Sequence, residues 1–397
     1  MKKKVITILI FLLFFQLTVY GCNSNWMYKQ DNSTNSITPE TQSLKTSTGD
    51  YFGNELNGTI ILACTTEIVA VDVVTLEIRE LLNVDDGYVI PDIAMNNGKL
   101  YFSMSTESYE GSDVVNRWGP NEIYMLNDRN DIEQITFNNY NDSSISTADT
   151  DLIVFRSDRI DTTSDRPIYN IVLLNTNTKS EKILFSSSKY VESKLSPLGN
   201  KIAIIEQTNQ FGKSNQYQYQ ANLYFYNVDL VQQYQILNNE YIFYNEIEWA
   251  PDQSQFVVSG RKNDRNAIFY VNDENFEIKS VTFLDAIPQN FSWSPSGRYL
   301  LYEEKNLEVP DRDMKLYLLD LFTNENKLIF SGSIDGRYEN YHAIWSPNGE
   351  YFSFMINDSE NGSLMKMIIE SPEYDSEVIV KEINVNTIWK AIWVNER

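Results

Sequence analysis

The sequence predicts an all-β chain built as a radial array of four-stranded sheets, a seven-bladed β-propeller, on three observations. First, a turn phrase recurs as Leu195-Ser196-Pro197-Leu198-Gly199-Asn200, Trp249-Ala250-Pro251-Asp252, Trp293-Ser294-Pro295-Ser296-Gly297-Arg298 and Trp345-Ser346-Pro347-Asn348-Gly349-Glu350. Its prolines fall 54, 44 and 52 residues apart, the period of radially repeated sheets. Second, each phrase separates two apolar runs, such as Arg298-Tyr299-Leu300-Leu301-Tyr302, whose aromatic and aliphatic side chains suit a pleated, buried surface. Third, the two ends of the chain complement each other: the first copy lacks an opening strand, and Thr387 to Trp393 supplies a spare one.

Taken in order, Met1-Lys2-Lys3-Lys4 and the 13-residue apolar run Val5 to Leu17 read as a signal peptide over residues 1–21, too short for a membrane span of roughly 20 residues. Leu17-Thr18-Val19-Tyr20-Gly21-Cys22 resembles a bacterial lipobox, which makes Cys22 the expected lipidation site. Cys64, the other cysteine, falls in a strand expected to be buried and reads as a small apolar core residue. Residues 22–57, rich in Asn, Ser, Thr and Gln, bury too little apolar surface to fold and read as a disordered tether, with a reach of order 30 Å.

The array then fills residues 58–397. Thr59 to Cys64, Ile68 to Val73 and Glu77 to Leu82 give three strands. Fainter copies follow: Ile93 to Ser103 turns at Asn97-Gly98, and Ser144 to Arg156 turns at Ala148-Asp149-Thr150. In the clear copies Pro and Gly fix the reversal, and two more runs follow, as in Lys315 to Asp320 and Lys327 to Phe330. Counting the blade shared by the two ends, copies begin near residues 58, 90, 143, 190, 244, 288 and 340. Six or eight blades remain open because the second and third copies are degenerate. Closure by the C-terminal strand on the N-terminal blade would remove an exposed sheet edge.

The Trp-Ser-Pro-x-Gly phrase followed by an aliphatic strand resembles the repeat of TolB-type propellers, which also builds the propellers of prolyl oligopeptidase and dipeptidyl peptidase. The resemblance covers roughly residues 58 to 394. It implies a fold; functions within that family are diverse.

A formal charge of −23, or −26 once Lys2, Lys3 and Lys4 leave with the leader, repels phosphate backbones and anionic lipid. Nucleic acid is therefore not an expected partner, and contact with the membrane is expected only through the lipid on Cys22. Alignment on the turn places Leu195, Trp249, Trp293, Trp345 and Trp393 at one position, read as wedges between neighbouring sheets. Three residues earlier stand Glu192, Glu246, Asn290, His342 and Lys390, with Pro91 and Ser143 as the matches in the faint copies. These should ring the mouth of a central channel, and converging polar groups are the signature of a binding site.

Loops on the same face add Trp118 in Thr106 to Asn121, Arg159 in Ser157 to Pro167, Tyr217 and Tyr219 in Thr208 to Gln220, and Arg261 in Gly260 to Asn266. Aromatics interleaved with arginine are recognition chemistry; the neighbouring aspartates, Asp158, Asp161, Asp165 and Asp264, offer the arginines local partners instead. No G-x-S-x-G occurs, and a single histidine excludes H-E-x-x-H. Asn127 to Asp131 and Asn272 to Asn275 are oxygen-rich turns without an EF-hand pattern, so no metal and no cofactor are expected. The sequence thus reads as a lipid-anchored, extracytoplasmic binding or scaffold protein of the cell envelope, recognising a protein, peptide or glycan. The alternative is a hydrolase or lyase acting on an envelope polysaccharide or peptide through Glu192, Glu246 and His342; a mainly structural subunit is a third reading.

Overall fold

The computed structural model describes residues 57–85, 88–106, 120–127, 131–160, 167–211, 218–229, 232–236, 240–305, 313–333, 341–358, 364–372, 379–383 and 388–395. Among them lie 28 strands and no helix. The strands pair in antiparallel runs of four, and two single bridges, Asn121 to Asn141 (parallel) and Ala221 to Phe243, join the second run to the third and the fourth to the fifth as eight-stranded sheets. The first set is β28 (Ile388–Val394), β1 (Thr59–Cys64), β2 (Glu67–Asp72) and β3 (Ile78–Asn83), in that spatial order. The second is β4 (Asp92–Asn96), β5 (Lys99–Ser105), β6 (Asn121–Leu126) and β7 (Ile132–Gln134); the third, β8 (Asn141–Thr147), β9 (Leu152–Ile160), β10 (Pro167–Asn175) and β11 (Ser180–Ser187). The fourth is β12 (Val191–Leu195), β13 (Lys201–Phe211), β14 (Gln218–Asn227) and β15 (Gln232–Ile236); the fifth, β16 (Ile242–Trp249), β17 (Gln255–Lys262), β18 (Arg265–Asn272) and β19 (Ile278–Leu284). The sixth is β20 (Ile287–Trp293), β21 (Tyr299–Lys305), β22 (Asp313–Asp320) and β23 (Glu325–Ser333); the seventh, β24 (Ile344–Trp345), β25 (Phe352–Asp358), β26 (Leu364–Glu370) and β27 (Ile379–Ile383).

The chain's last strand pairs beside its first, with Ile60 opposite Trp393 and Leu62 opposite Ala391. The opening strands also touch in sequence: β28 meets β4, then β4 meets β8, β8 meets β12, β12 meets β16, β16 meets β20, β20 meets β24, and β24 returns to β28. Hydrophobic clusters follow the same order, each formed between two adjoining sets. Ile60, Val71 and Trp393 pack on Met355 and Ile369 between the first and seventh, and Phe225 and Trp249 pack on Phe256 and Phe269 between the fourth and fifth. Each buried aliphatic or aromatic side chain there contributes about 1.5–3 kcal/mol.

The recurring turn phrase has a local cause. Gly199, Gly297 and Gly349 hold φ between 72° and 76° and donate N–H to Ser196, Ser294 and Ser346 carbonyls, a reversal glycine adopts without a Cβ penalty. The serine hydroxyl then accepts the N–H five residues on, from Lys201, Tyr299 and Tyr351. In the Trp249 copy, Gln253 takes the same left-handed conformation at φ 52°. The tryptophans staple sets together: Trp249 Nε1 donates to Lys194 O at 2.9 Å and Trp345 Nε1 to Ser292 O at 3.0 Å, both on the preceding opening strand. Trp293 packs in the core between the fifth and sixth sets, but its Nε1 has no partner. Cys64 is buried and unpaired, and burial, then Glu67, pushes its thiol up to about 12.

Three loops differ from expectation: Arg159 lies within β9 and Tyr219 within β14, and the third is a tight hairpin. Gly260 to Asn266 is not a long recognition loop: β17 and β18 continue through it until Lys262 faces Arg265. Asn263 and Asp264, at φ 50° and 63°, close a two-residue hairpin of the type whose backbone twist matches the strands.

Candidate functional site

In three sets the position expected at a channel mouth falls at one backbone feature. In β8 two residues, Ser144 and Ile145, oppose the single Phe155; in β20, Asn290 and Phe291 oppose Tyr302. Before β24, His342 and Ala343 oppose Phe354, bracketed by the Met355 N–H to Tyr341 O bond and the Ile344–Ser353 pair. The first residue of each bulge is left-handed, Ser144 at φ 55°, Asn290 at 53° and His342 at 49°. Bulges re-aim side chains, and here they fix the rim position. The third set's member is therefore Ser144, one residue beyond the expected Ser143, because the bulge shifts the register.

A cavity of about 550 Å³ opens against the first four sets. Pro91, Ser143, Glu192 and Lys390 from the expected ring line it, joined by Asp92, Arg156, Tyr190 and Trp389. Lys390 Nζ lies 2.6 Å from Asp92 Oδ1 and 3.5 Å from Ile145 O, while Asp92 Oδ2 accepts the Ile145 N–H. Residues 298 apart in the chain thus meet as an ion pair.

Arg156 organises the other side. Its Nη1 donates to Glu192 Oε1 at 2.7 Å and to Tyr190 Oη at 2.5 Å, Nε to Asp158 at 2.9 Å, and Nη2 to Ser143 Oγ at 3.0 Å. The guanidinium also stacks over the Tyr190 ring, and Tyr190 and Ser144 both donate to Glu192 Oε1. Burial alone would lower the Arg156 pKa, but Glu192, Tyr190 and Asp158 outweigh it and hold the group more firmly charged. Burial, then Glu192, pushes the Tyr190 hydroxyl up.

The remaining ring members, Glu246, Asn290 and His342, are half-buried. Lys194 pairs with Glu248 at 2.8 Å, and that carboxylate, against burial, raises the lysine. Glu246 has Lys194, Glu192 and Glu248 within electrostatic reach and accepts a backbone bond from Asn290, yet burial dominates and pushes it up to about 7. Glu303 is fully buried. It accepts Asn290 Nδ2 at 2.9 Å and the Tyr341 N–H at 2.7 Å, and burial still pushes it up to about 8. Burial drives His342 down to about 4, against a backbone bond at Ile388. Near neutral pH Glu303 is mostly protonated and His342 neutral, Glu246 is close to half ionised, and the Lys194–Glu248 pair keeps its charges.

Of the expected ring, Glu192 and Lys390 line the cavity, Glu246 lies within electrostatic reach of Glu192, Asn290 bonds Glu303, and His342 meets the backbone at Ile388. The expected loop residues are not gathered in the same way. Arg261 bonds its own hairpin neighbour Asp264 at 2.9 Å, an exposed pair worth little. Trp118, Tyr217 and Cys22 lie outside the described residues, as do the side chains of Arg159 and Tyr219. The sequence reading missed Asp92, Arg156, Tyr190 and Glu303. Two of them carry a signal in retrospect: Arg156 ends Leu152-Ile153-Val154-Phe155, and Glu303 ends Leu300-Leu301-Tyr302. A charge inside an apolar second strand must find a buried partner. Among the described residues, no group of three or more His, Cys, Asp or Glu side chains is placed to hold a metal ion. The Asn272 turn is closed by its own side chain, whose Oδ1 accepts the N–H groups of Glu274 and Asn275.

The fold is an all-β structure of the propeller type. The family model described as eukaryotic translation initiation factor eIF2A matches residues 182–353, less than half of the chain but spanning all four turn phrases. An oligogalacturonate lyase solved in complex with manganese is similar at 10% identity, with 77% of this chain and 83% of that chain covered and a TM-score of 0.58. An oligogalacturonate lyase from Vibrio parahaemolyticus is similar at 12% identity, with coverage of 79% and 92% and a TM-score of 0.57. TolB from Acinetobacter baumannii shares 14% identity over 84% of this chain and 81% of its own, with a TM-score of 0.49. At such identities the likeness shows the fold alone. No curated protein matches the sequence.

Proposed function

We propose that this chain is a seven-bladed propeller closed by β28 and that it works as a binding module of the bacterial cell envelope. Residues 1–21 act as signal peptide, Cys22 carries the lipid and residues 22–57 form the tether. The propeller captures a protein, peptide or glycan at the rim of its opening strands. The unbroken circuit of contacts from β28 through β24 and back supports the closed ring. The observation that carries the function is the polar rim, where side chains from separate sets converge on one cavity, as Asp92 and Lys390 do. Convergent polar groups at a concave opening are what ligand recognition requires.

A hydrolase or lyase working through Glu192, Glu246 and His342 draws less support. Three donors, Arg156, Tyr190 and Ser144, already hold Glu192 Oε1. The test is chemical cross-linking in solubilised envelope with the wild type, with a rim variant Trp389→Ala, and with Trp118, Tyr217 and Tyr219 replaced together by Ala. The reading expects a captured species that both variants lose while thermal unfolding is nearly unchanged. Capture indifferent to both variants would refute it. Cys22→Ser should release the protein from the membrane fraction and abolish lipid labelling.

A further inference from the structure

The cavity wall carries three cations and three anions, Asp92, Arg156, Asp158, Glu192, Lys194 and Lys390. On a chain of charge −23 this wall is neutral, and its cations are engaged: Lys390 by Asp92, Lys194 by Glu248, and Arg156 by Glu192 and Asp158. A carboxylate or phosphate ligand would have to displace a carboxylate from a sheltered pair, and a stripped charge in such a place is strongly unfavourable. A cationic ligand finds every wall carboxylate already bonded to a cation, Arg156 being shared by Glu192 and Asp158.

What the wall offers instead is hydrogen bonding and an aromatic face. Every bond that Glu192 accepts falls on Oε1, which leaves Oε2 as an acceptor. The Lys390 ammonium uses two of its three hydrogens, on Asp92 and Ile145. Trp389 is 37% exposed beside Lys390 on the wall, and Tyr169 and Tyr190 meet edge to face with centroids 5.6 Å apart. Aliphatic groups are scarce: Pro91 and Ile145 are the wall's only aliphatic members among the described residues. Peptide-binding grooves seat apolar side chains in apolar pockets, so this chemistry fits a peptide poorly.

We propose that this wall receives an uncharged polyhydroxylated ligand, a segment of neutral glycan, which stacks on Trp389 and shares its hydroxyls between Glu192 Oε2 and the Lys390 ammonium. The inference rests on the binding reading above and narrows its ligand. Glu303 and His342, mainly uncharged at neutral pH, and Glu246, close to half ionised there, extend the same polarity around the ring.

The test is titration of the intact mature chain with cellohexaose, chitohexaose and mannohexaose, with hexagalacturonate as the anionic counterpart and an uncharged decapeptide as the peptide counterpart. Binding is read by calorimetry and tryptophan fluorescence. At least one neutral hexasaccharide should bind, with an affinity nearly constant between about 0.05 and about 0.5 M salt, since no ion pair is made with the ligand. Trp389→Ala should weaken it by up to about tenfold, with Trp389→Phe recovering much of the loss. Tighter, Trp389-dependent binding of hexagalacturonate or the decapeptide would overturn the neutral-glycan assignment and leave the binding reading standing. If no probe binds in a Trp389-dependent way, the neutral-glycan assignment falls, and the cross-linking test then decides the binding reading.

Discussion

Replacing Glu303 by Gln isolates the electrostatics of one buried carboxyl behind the ring. The carboxyl is fully buried, and its folded pKa stands at about 8 against an ordinary 4.5, with burial as the main cause and Glu246 adding to it. A raised carboxyl binds its proton more tightly in the folded state, so its contribution to stability is complete below about pH 4.5 and is lost as pH rises through about 8. At 1.36 kcal/mol per pH unit, that interval sets a ceiling of about 5 kcal/mol, and water entering the rim brings the expected value to about 1–4 kcal/mol. Gln keeps an oxygen for the Tyr341 N–H, and the Asn290 amide can turn to accept from its NH2, so the hydrogen bonds survive. Urea unfolding of both proteins at about pH 5 and about pH 9 measures the difference. Wild type and variant should be nearly equal in acid, and the variant should be the more stable in base. The difference curve matters because Glu246 and Glu304, both raised to about 7, give the wild type a pH slope of their own. A gap that stays constant with pH, or a variant less stable in base, would refute the reasoning.

Arg156→Met leaves Glu192 and Asp158 without their shared cation and should cost about 3–5 kcal/mol at neutral pH by chemical unfolding, less near pH 4 where the carboxylates take up protons. Trp249→Phe and Trp345→Phe each abandon a carbonyl on the neighbouring set; each should cost about 1–2 kcal/mol more than Trp293→Phe, whose indole N–H has no partner to lose. Equal losses at all three sites would deny the stapling role. Deleting residues 388–397 takes Ile388, Ala391 and Trp393 out of a core and bares the β1 edge. Sedimentation should then show self-association, and thermal unfolding should lose its single sharp transition.

The fold was legible because its period is written in turn chemistry. Pro fixes φ, Gly takes the left-handed position, and Ser accepts the N–H that follows, so each clear copy announces itself. The pairing of β28 with β1 was legible for a similar reason, since Trp393 falls where Trp249, Trp293 and Trp345 fall. Partner choice was not. Nothing in the spacing of Arg156 says that it reaches Glu192 in the next set and Asp158 in its own, because such contacts depend on how two sets face each other across a core. Arg261 shows the converse error: a cation in a supposed loop proved to be part of a continuing strand that found its partner three residues away.

The bulges explain why the ring could be located without its chemistry being read. The feature that fixes the rim position, two residues facing one with the first left-handed, recurs around Ser144, Asn290 and His342, although only Asn and His of these favour that conformation at all strongly. A backbone device held in three sets while its side chain changes from hydroxyl to amide to imidazole separates architecture from recognition. Sheet geometry dictates where a side chain must emerge, and the residue placed there is free to vary with the ligand. The energetic consequence is asymmetric. Each left-handed residue stores about 1–3 kcal/mol of strain that the surrounding sheet must hold, so replacing Ser144 or His342 by Gly should leave stability equal or higher while removing a group from the ring. A loss of stability on those substitutions, measured by urea unfolding, would show that the side chains support the fold and are not there for a ligand.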